Sequence, residues 1–356
     1  MAFLKLYRNK LRHNFRHLDE LFAKKNVHWG VVTKLLCGNK LFLKELVDLG
    51  IKEMHDTRIS NIKTIKSMSA DIQTVYIKPP AKRSIPNVIK YVDVSFNTDY
   101  STIKLLSEEA VRQDKLHKII IMVEMGDLRE GVMGDQLMDF YEKIFQLPNI
   151  EIIGIGTNLN CLNGIMPNQD KLIQLSLYKQ LIEMKFDQKI PWISGGTSVT
   201  LSLLINQQIP SGINHFRIGE AMFFANDLFT GQKFEGMESD VFKLYTEIIE
   251  LYEKPVVPSG EQIANVAGHI PEFDPEDYGK FSYRAIIDVG LLDINPDFLI
   301  PEDENIRIIE ASSDMLVMDL GNKPGTYKTG DLISFKLKYM GVLGLMNSNY
   351  IEKVVS

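Results

Sequence analysis

Residues 28–56 read HWGVVTKLLCGNKLFLKELVDLGIKEMHD. An apolar run ends in Lys34, a small-residue turn follows, apolar residues then recur at three and four, and a second short run closes on Asp56. The reading is strand, helix, strand, and two parallel strands joined through a helix must cross over in the right-handed sense. The pattern repeats downstream. Strand-like runs are predicted at 28–34, 51–56, 71–78, 92–97, 118–126, 150–158, 190–195 and 214–219. Segments such as SNIKTIKSMSA and DQLMDFYEKIFQL lie between them with helical spacing and polar or glycine breaks. Eight strands alternating with helices predict an α/β fold, an eight-stranded parallel (β/α) barrel over residues 1–232, because both faces of a parallel sheet must be covered.

The texture changes beyond the barrel. FANDLFTGQKFEGMES is rich in loop formers, and from Tyr283 the short runs YRAIIDVG, IRIIEA, MLVMDL and LISFKL are separated by NPD, PED, GNKPG and KTGD. Residues 233–356 are therefore expected to form a smaller, mainly-β C-terminal domain. At the other end, MAFLKLYRNKLRHNFRHLDELF puts Leu4, Leu11, Phe15, Leu18 and Phe22 on one face at helical spacing, an amphipathic helix without the apolar core of a signal peptide. A mitochondrial presequence would be poorer in acids, though the basic first 17 residues keep that alternative open.

With 356 residues, 45% hydrophobic and 24% charged, the chain is long enough to bury a large core. The net charge of −6 is spread among interleaved acids and bases, which argues against a nucleic-acid or anionic-membrane surface and for a small-molecule partner. No run approaches a membrane span. The two cysteines, Cys37 and Cys161, have neither disulfide-scaffold nor zinc spacing, so reduced thiols in a cytoplasm are expected and no metal is called for.

In a parallel barrel the site lies at the carboxyl ends of the strands. Here those ends carry Lys34, Asp56 with Arg58, Lys78, Asn97, Asp127 with Arg129, Asn158, the run Ser194 to Ser198, and Arg217. Any strand turns polar where it meets a loop, but so many converging groups, one of them a lysine leaving an apolar run, point to a shared site. A lysine in a partly apolar pocket loses proton affinity, and its amine can attack a carbonyl. A sugar or keto acid and pyridoxal phosphate both fit that chemistry. The stretch ISGGTSVTLSLL favours the phosphate: Gly195 and Gly196 allow close backbone approach, and Thr197 and Ser198 offer hydroxyls where a helix begins.

The ordered set GVVTKLLCGN, MHDTRISNIK, VEMGDLREGV, GIGTNLNCLNG, ISGGTSVTL, HFRIGEAMF and SSDMLVMDL resembles the alanine and ornithine racemases, pyridoxal-phosphate enzymes with a barrel followed by a β domain, over about residues 28–350. The resemblance implies pyridoxal 5′-phosphate as cofactor, bound to Lys34 as an internal aldimine, with Lys34 then serving as one acid–base. It places Arg217 against the pyridine nitrogen, Ser198 with Gly219 and Glu220 at the phosphate, and Arg129 near the substrate carboxylate; Thr197, Gly196 and Asn158 join the cofactor-binding set. An ion pair of Arg129 with Asp127 or Glu130 is the competing reading from local sequence. It also implies a homodimer.

The match departs from the family in the β domain. Alanine racemases carry a second acid–base, a tyrosine in a Gly-Tyr-Ala-Asp run, where this chain reads VGLLDIN and has Leu291. Asp314, Tyr339, Tyr350 and Cys161 are the substitutes available, with Asp314 preferred for its place in SSDML; its competing reading is a loop carboxylate accepting backbone N–H groups. The expected activity is racemisation of a free α-amino acid, ornithine or a related basic one ahead of alanine. A decarboxylase or lyase on the same scaffold, and a non-catalytic carrier of the cofactor, are the alternatives.

Overall fold

The computed structural model describes residues 2–264, 268, 270–323 and 325–356. The chain forms two compact units, one of residues 9–239 and one that joins residues 1–8 to residues 240–356. The strands are, in order, β1 (Phe3–Leu6), β2 (His28–Val32), β3 (Glu53–Asp56), β4 (Gln73–Tyr76), β5 (Val94–Asn97), β6 (His117–Met122), β7 (Ile150–Gly156), β8 (Trp192–Ser194), β9 (Gly196–Thr197) and β10 (His215–Ile218). They continue with β11 (Phe242–Pro255), β12 (Phe281–Ile287), β13 (Leu299–Pro301), β14 (Arg307–Ala311), β15 (Leu316–Asp319), β16 (Leu332–Leu337) and β17 (Glu352–Val355).

In the first unit β2 to β8 pair in parallel, each with its sequence neighbour, and β10 pairs in parallel with both β2 and β9. β8 and β9 flank Gly195 as one interrupted strand, so the sheet closes as a barrel of the eight strands expected. Ile119, Ile120, Ile121 and Met122 of β6 are all buried, as a strand covered on both faces requires. Along β10 the faces alternate. Phe216 meets Phe22 of the helix Arg8–Lys25 at a ring-centroid distance of 5.2 Å, while His215 and Arg217 take the other face.

Asn39, Asp99 and Asn168 cap the helices Lys40–Asp48, Tyr100–Arg112 and Gln169–Phe186 with side-chain oxygens that accept the N–H groups of Phe42, Thr102 and Lys171. The first helix starts at Arg8, not at Leu4. Leu4 is instead fully buried in β1, which pairs antiparallel with β11 and parallel with β17. On that helix Leu11, Leu18 and Phe22 are buried, Phe15 is half-buried, and the buried Asn14 donates to the carbonyls of Met222 and Glu238. The second unit is an antiparallel sheet in the order β13, β16, β11, β12, β15, β14, extended by β1 and β17.

Candidate active site at the carboxyl end of the barrel

Lys34 is the first residue of a 3-10 turn, Lys34–Leu36, directly after β2. Its root is fixed: Thr33 is fully buried, donates its N–H to His55 O at 2.8 Å, and its hydroxyl lies 2.9 Å from Asp56 Oδ2. The lysine side chain is exposed. Its charge is felt at Glu220, just beyond β10, where it opposes the rise in proton affinity that burial causes.

Arg217 sits on the inward face of β10 and is only 5% exposed. Its Nη1 donates to Ser194 O and Oγ, both at 2.7 Å, its Nη2 donates to Thr157 O at 2.8 Å, and the guanidinium lies 5.3 Å from the Phe96 ring centre. These contacts tie it to the ends of β7 and β8 and to β5. Burial lowers its pKa to about 10, still far above neutrality, so the group is a fixed cation. A guanidinium has five N–H donors, and those not spent on Ser194 and Thr157 have no protein acceptor among the described residues.

Beside it, the backbone N–H groups of Gly219 and Ala221 both lie 3.2 Å from Ser198 Oγ. Thr197 and Thr200 form a reciprocal capping box around the turn Ser198–Thr200. Ser198 is buried and Glu220 half-buried. Two backbone N–H groups thus hold one hydroxyl at the strand end, whose own hydrogen is left to donate to an anion. Gly196 is there for space: a Cβ would stand 2.2 Å from the ring of Phe216.

On the opposite rim, Arg129 pairs with Glu130 and not with Asp127. The Nε to Oε2 distance is 3.0 Å, but poor alignment leaves that buried oxygen without a hydrogen bond. Asn158 donates to the other oxygen at 3.2 Å, and burial raises the proton affinity of Glu130. Asp127 serves the fold, accepting the N–H groups of Cys161, Leu162, Asn163 and Ile165. Asp56 does likewise for Thr57, Arg58 and Asn61, and Asn97 donates to Ser95. Several strand-end groups are therefore scaffold, while Lys34, Asn158, Thr197, Ser198, Arg217, Gly219 and Glu220 belong to the mouth of one barrel unit.

Asp314 lies in the other unit. It is exposed, with Oδ1 accepting from the hydroxyls of Ser312 and Ser313 at 3.3 and 3.1 Å. Leu291 and Leu292 donate their N–H groups to Ser312 O and Ser313 O, so the VGLLDIN turn packs on the SSDML turn. Gly290 permits it, because a Cβ there would stand 2.4 Å from the Met315 nitrogen. Tyr350 is 78% exposed and Cys161 exposed. Sequence reading missed Ser194 and Thr157 as the acceptors that hold Arg217. The available signal was the period of two in HFRIG, which aims His215 and Arg217 at the same interior.

Residues 7–227 match the family model for the alanine racemase N-terminal domain. The chain is 35% identical to an ornithine racemase of Acetoanaerobium sticklandii, over 97% of both chains. It is 32% identical to a lysine racemase of Thermotoga maritima, over 97% of this chain and 96% of the relative. Among solved structures, the alanine racemase of Streptomyces coelicolor A3(2) shares the fold with a TM-score of 0.76 at 11% identity, over 99% of this chain and 97% of that one. With most of the barrel matched by the family model and two relatives aligned nearly end to end, the chain belongs to the alanine racemase family.

Proposed function

We propose that the protein racemises a free α-amino acid with a basic side chain, ornithine or lysine, using pyridoxal 5′-phosphate held at the barrel mouth. Amino-acid racemase activity follows from the family and from the two near-full-length relatives, whose names favour a basic substrate over alanine. The observation that carries the cofactor is Arg217, a buried cation with donors to spare, which suits a neutral ring nitrogen as acceptor. The Ser198 hydroxyl, held by the N–H groups of Gly219 and Ala221 and free to donate its own hydrogen, suits a phosphate ester.

When bound, the cofactor supplies an aldehyde that condenses with amines and a conjugated ring that accepts the charge left at Cα. Lys34 would hold it covalently and, once displaced by the substrate amine, take or return the Cα proton on one face. Arg217, fixed as a cation, would face the ring nitrogen and disfavour its protonation, which would weaken the sink and limit side reactions. Arg129 is exposed and keeps N–H groups beyond its pair with Glu130 for the substrate carboxylate. Asp314 is the candidate proton carrier for the second face, and a homodimer accords with the resemblance; a monomer of full activity by light scattering would reject the latter.

The test is the visible absorption of the purified protein with the cofactor, wild type against Lys34→Ala, followed by chiral analysis of single enantiomers. Loss of the covalent absorption band in the variant and inversion of ornithine or lysine are expected. Carbon dioxide release without inversion would replace this reading with a decarboxylase. Asp314→Asn should stop inversion yet leave Cα–hydrogen exchange with solvent for one enantiomer, and unchanged inversion would remove Asp314 from the mechanism.

A further inference from the structure

Behind Arg217 lies a buried polar chain that the reaction chemistry does not require. Ser194 Oγ, 2.7 Å from Arg217 Nη1, is 2.6 Å from His215 Nδ1; His215 Nε2 is 2.8 Å from Glu53 Oε1, and His55 Nε2 is 2.5 Å from the same oxygen. Gln73 Nε2 donates to the other carboxylate oxygen at 2.8 Å. Both histidines and Ser194 are fully buried, and the His215 ring stacks on Trp192 with centroids 4.4 Å apart. Glu53 and His215 open β3 and β10, so the chain runs from the amino-terminal end of the barrel toward its mouth. Gly30 leaves room for it: a Cβ would be 2.3 Å from His55 Nε2 and 2.6 Å from Glu53 Oε1.

The hydrogens are set from the two ends of the chain. A guanidinium can only donate, so Ser194 Oγ accepts from Arg217 and keeps its own hydrogen and a second lone pair for His215 Nδ1. At the other end a carboxylate can only accept, so Nε2–H of His215 donates to Glu53, and in the neutral ring Nδ1 is bare and takes the Ser194 hydrogen. Glu53 is that carboxylate: burial opposes its ionisation, but His215 and His55 hold its pKa well below the usual range, and Gln73 donates to its other oxygen.

We propose that Glu53 is a positioning residue for Arg217: by selecting the Nε2–H tautomer of His215 it commits the Ser194 hydroxyl and fixes the guanidinium edge left for the cofactor. The proposal rests on the reading of Arg217 as the cofactor's nitrogen contact. A glutamine in place of Glu53 can present an NH2 group to His215, which allows the opposite tautomer, sets an N–H against Ser194 and loosens the bond to Arg217. A divalent metal held by Glu53, His55 and His215 is the competing use of this cluster. The spacing argues against it, because ligand atoms bound tetrahedrally at zinc distances stand about 3.3 Å apart, farther than the 2.5 and 2.8 Å found.

The test uses the full-length protein with 15N-labelled histidine, with and without pyridoxal 5′-phosphate, the His215 signals being assigned by their loss in His215→Gln. Wild type should show Nδ1 bare and Nε2 protonated in both states, and Glu53→Gln should mix or invert the tautomer. Glu53→Gln and Ser194→Ala should each weaken cofactor affinity about tenfold, the worth of one hydrogen bond to a charged group. The two losses should not add in the double variant. Three results would overturn the proposal: a proton on Nδ1 of wild-type His215, full additivity, or a bound divalent metal that is lost in His55→Gln. Persistence of the covalent absorption band in Lys34→Ala would instead overturn the cofactor reading and leave the tautomer result standing.

Discussion

At the scale of single residues, the barrel is held by small groups in places where nothing larger fits. Gly196 lies against Phe216, which is fully buried, and an added methyl would come within 2.2–2.3 Å of three ring atoms. Gly196→Ala should therefore cost about 3 kcal/mol of stability, the upper range for overpacking, and weaken cofactor binding through the adjoining Thr197–Ser198 turn. Urea unfolding and a cofactor titration read the two effects, and a stability change under 0.5 kcal/mol would refute the clash. A second residue links fold to pH. His117 is buried, and its Nε2 lies 2.8 Å from Ser95 Oγ, which also accepts from Asn97. Burial pushes the pKa of His117 down to about 4. A histidine that is harder to protonate when folded stabilises fully above the ordinary value near 6.5, and that contribution is lost as pH falls from there toward 4. At pH 5 the loss should be about 2 kcal/mol, and His117→Gln should flatten this acid limb in unfolding midpoints compared at pH 7.5 and pH 5.

At the scale of elements, periodicity made the barrel legible and long-range pairing hid the rest. All eight barrel strands appear in the chain order expected, because apolar runs buried on both faces are bounded by turn formers. β11 was not read as a strand: its first half alternates buried and half-buried residues from Phe242 to Ile248, but its second half, ELYEKP, is charged and is extended only because it pairs with β12. β1 was read as helix because LKLYRNKL fits both periods, and its partners lie more than 230 residues away. In the site, Lys34, Ser194 and Arg217 could be found from strand ends, whereas Glu53 joins Arg217 only through a chain that leaps from one strand to another. The helix Arg8–Lys25 shows what such packing is worth. Phe22 is fully buried, stacks on Trp29 and meets the tilted ring of Phe216, both at 5.2 Å, so it braces the two strands that carry Lys34 and Arg217. Phe22→Ala should cost about 3–5 kcal/mol, read as a lower urea midpoint with the slope unchanged.

At the scale of the whole molecule, the chain begins in one unit, builds the other, and then returns. β1 takes its place between β11 and β17, with Leu4 and Leu6 fully buried and Leu4 opposite Leu244. β17 has no other strand partner among the described residues. Removing residues 2–7 would therefore unpair β17, open an edge on β11 and expose two core leucines, all within the C-terminal unit. The barrel keeps every one of its own strand pairings in such a truncation, since β2 through β10 bond only to one another. Hydrogen exchange should then separate the two units: amides of β11, β16 and β17 should lose protection while those of β6 and β7 stay protected. On the role proposed for Asp314, which sits on a turn of the destabilised unit, inversion of the substrate should fall, while the absorption band proposed for Lys34 should survive. Uniform loss of protection across both units would show instead that the barrel depends on the strand that precedes it.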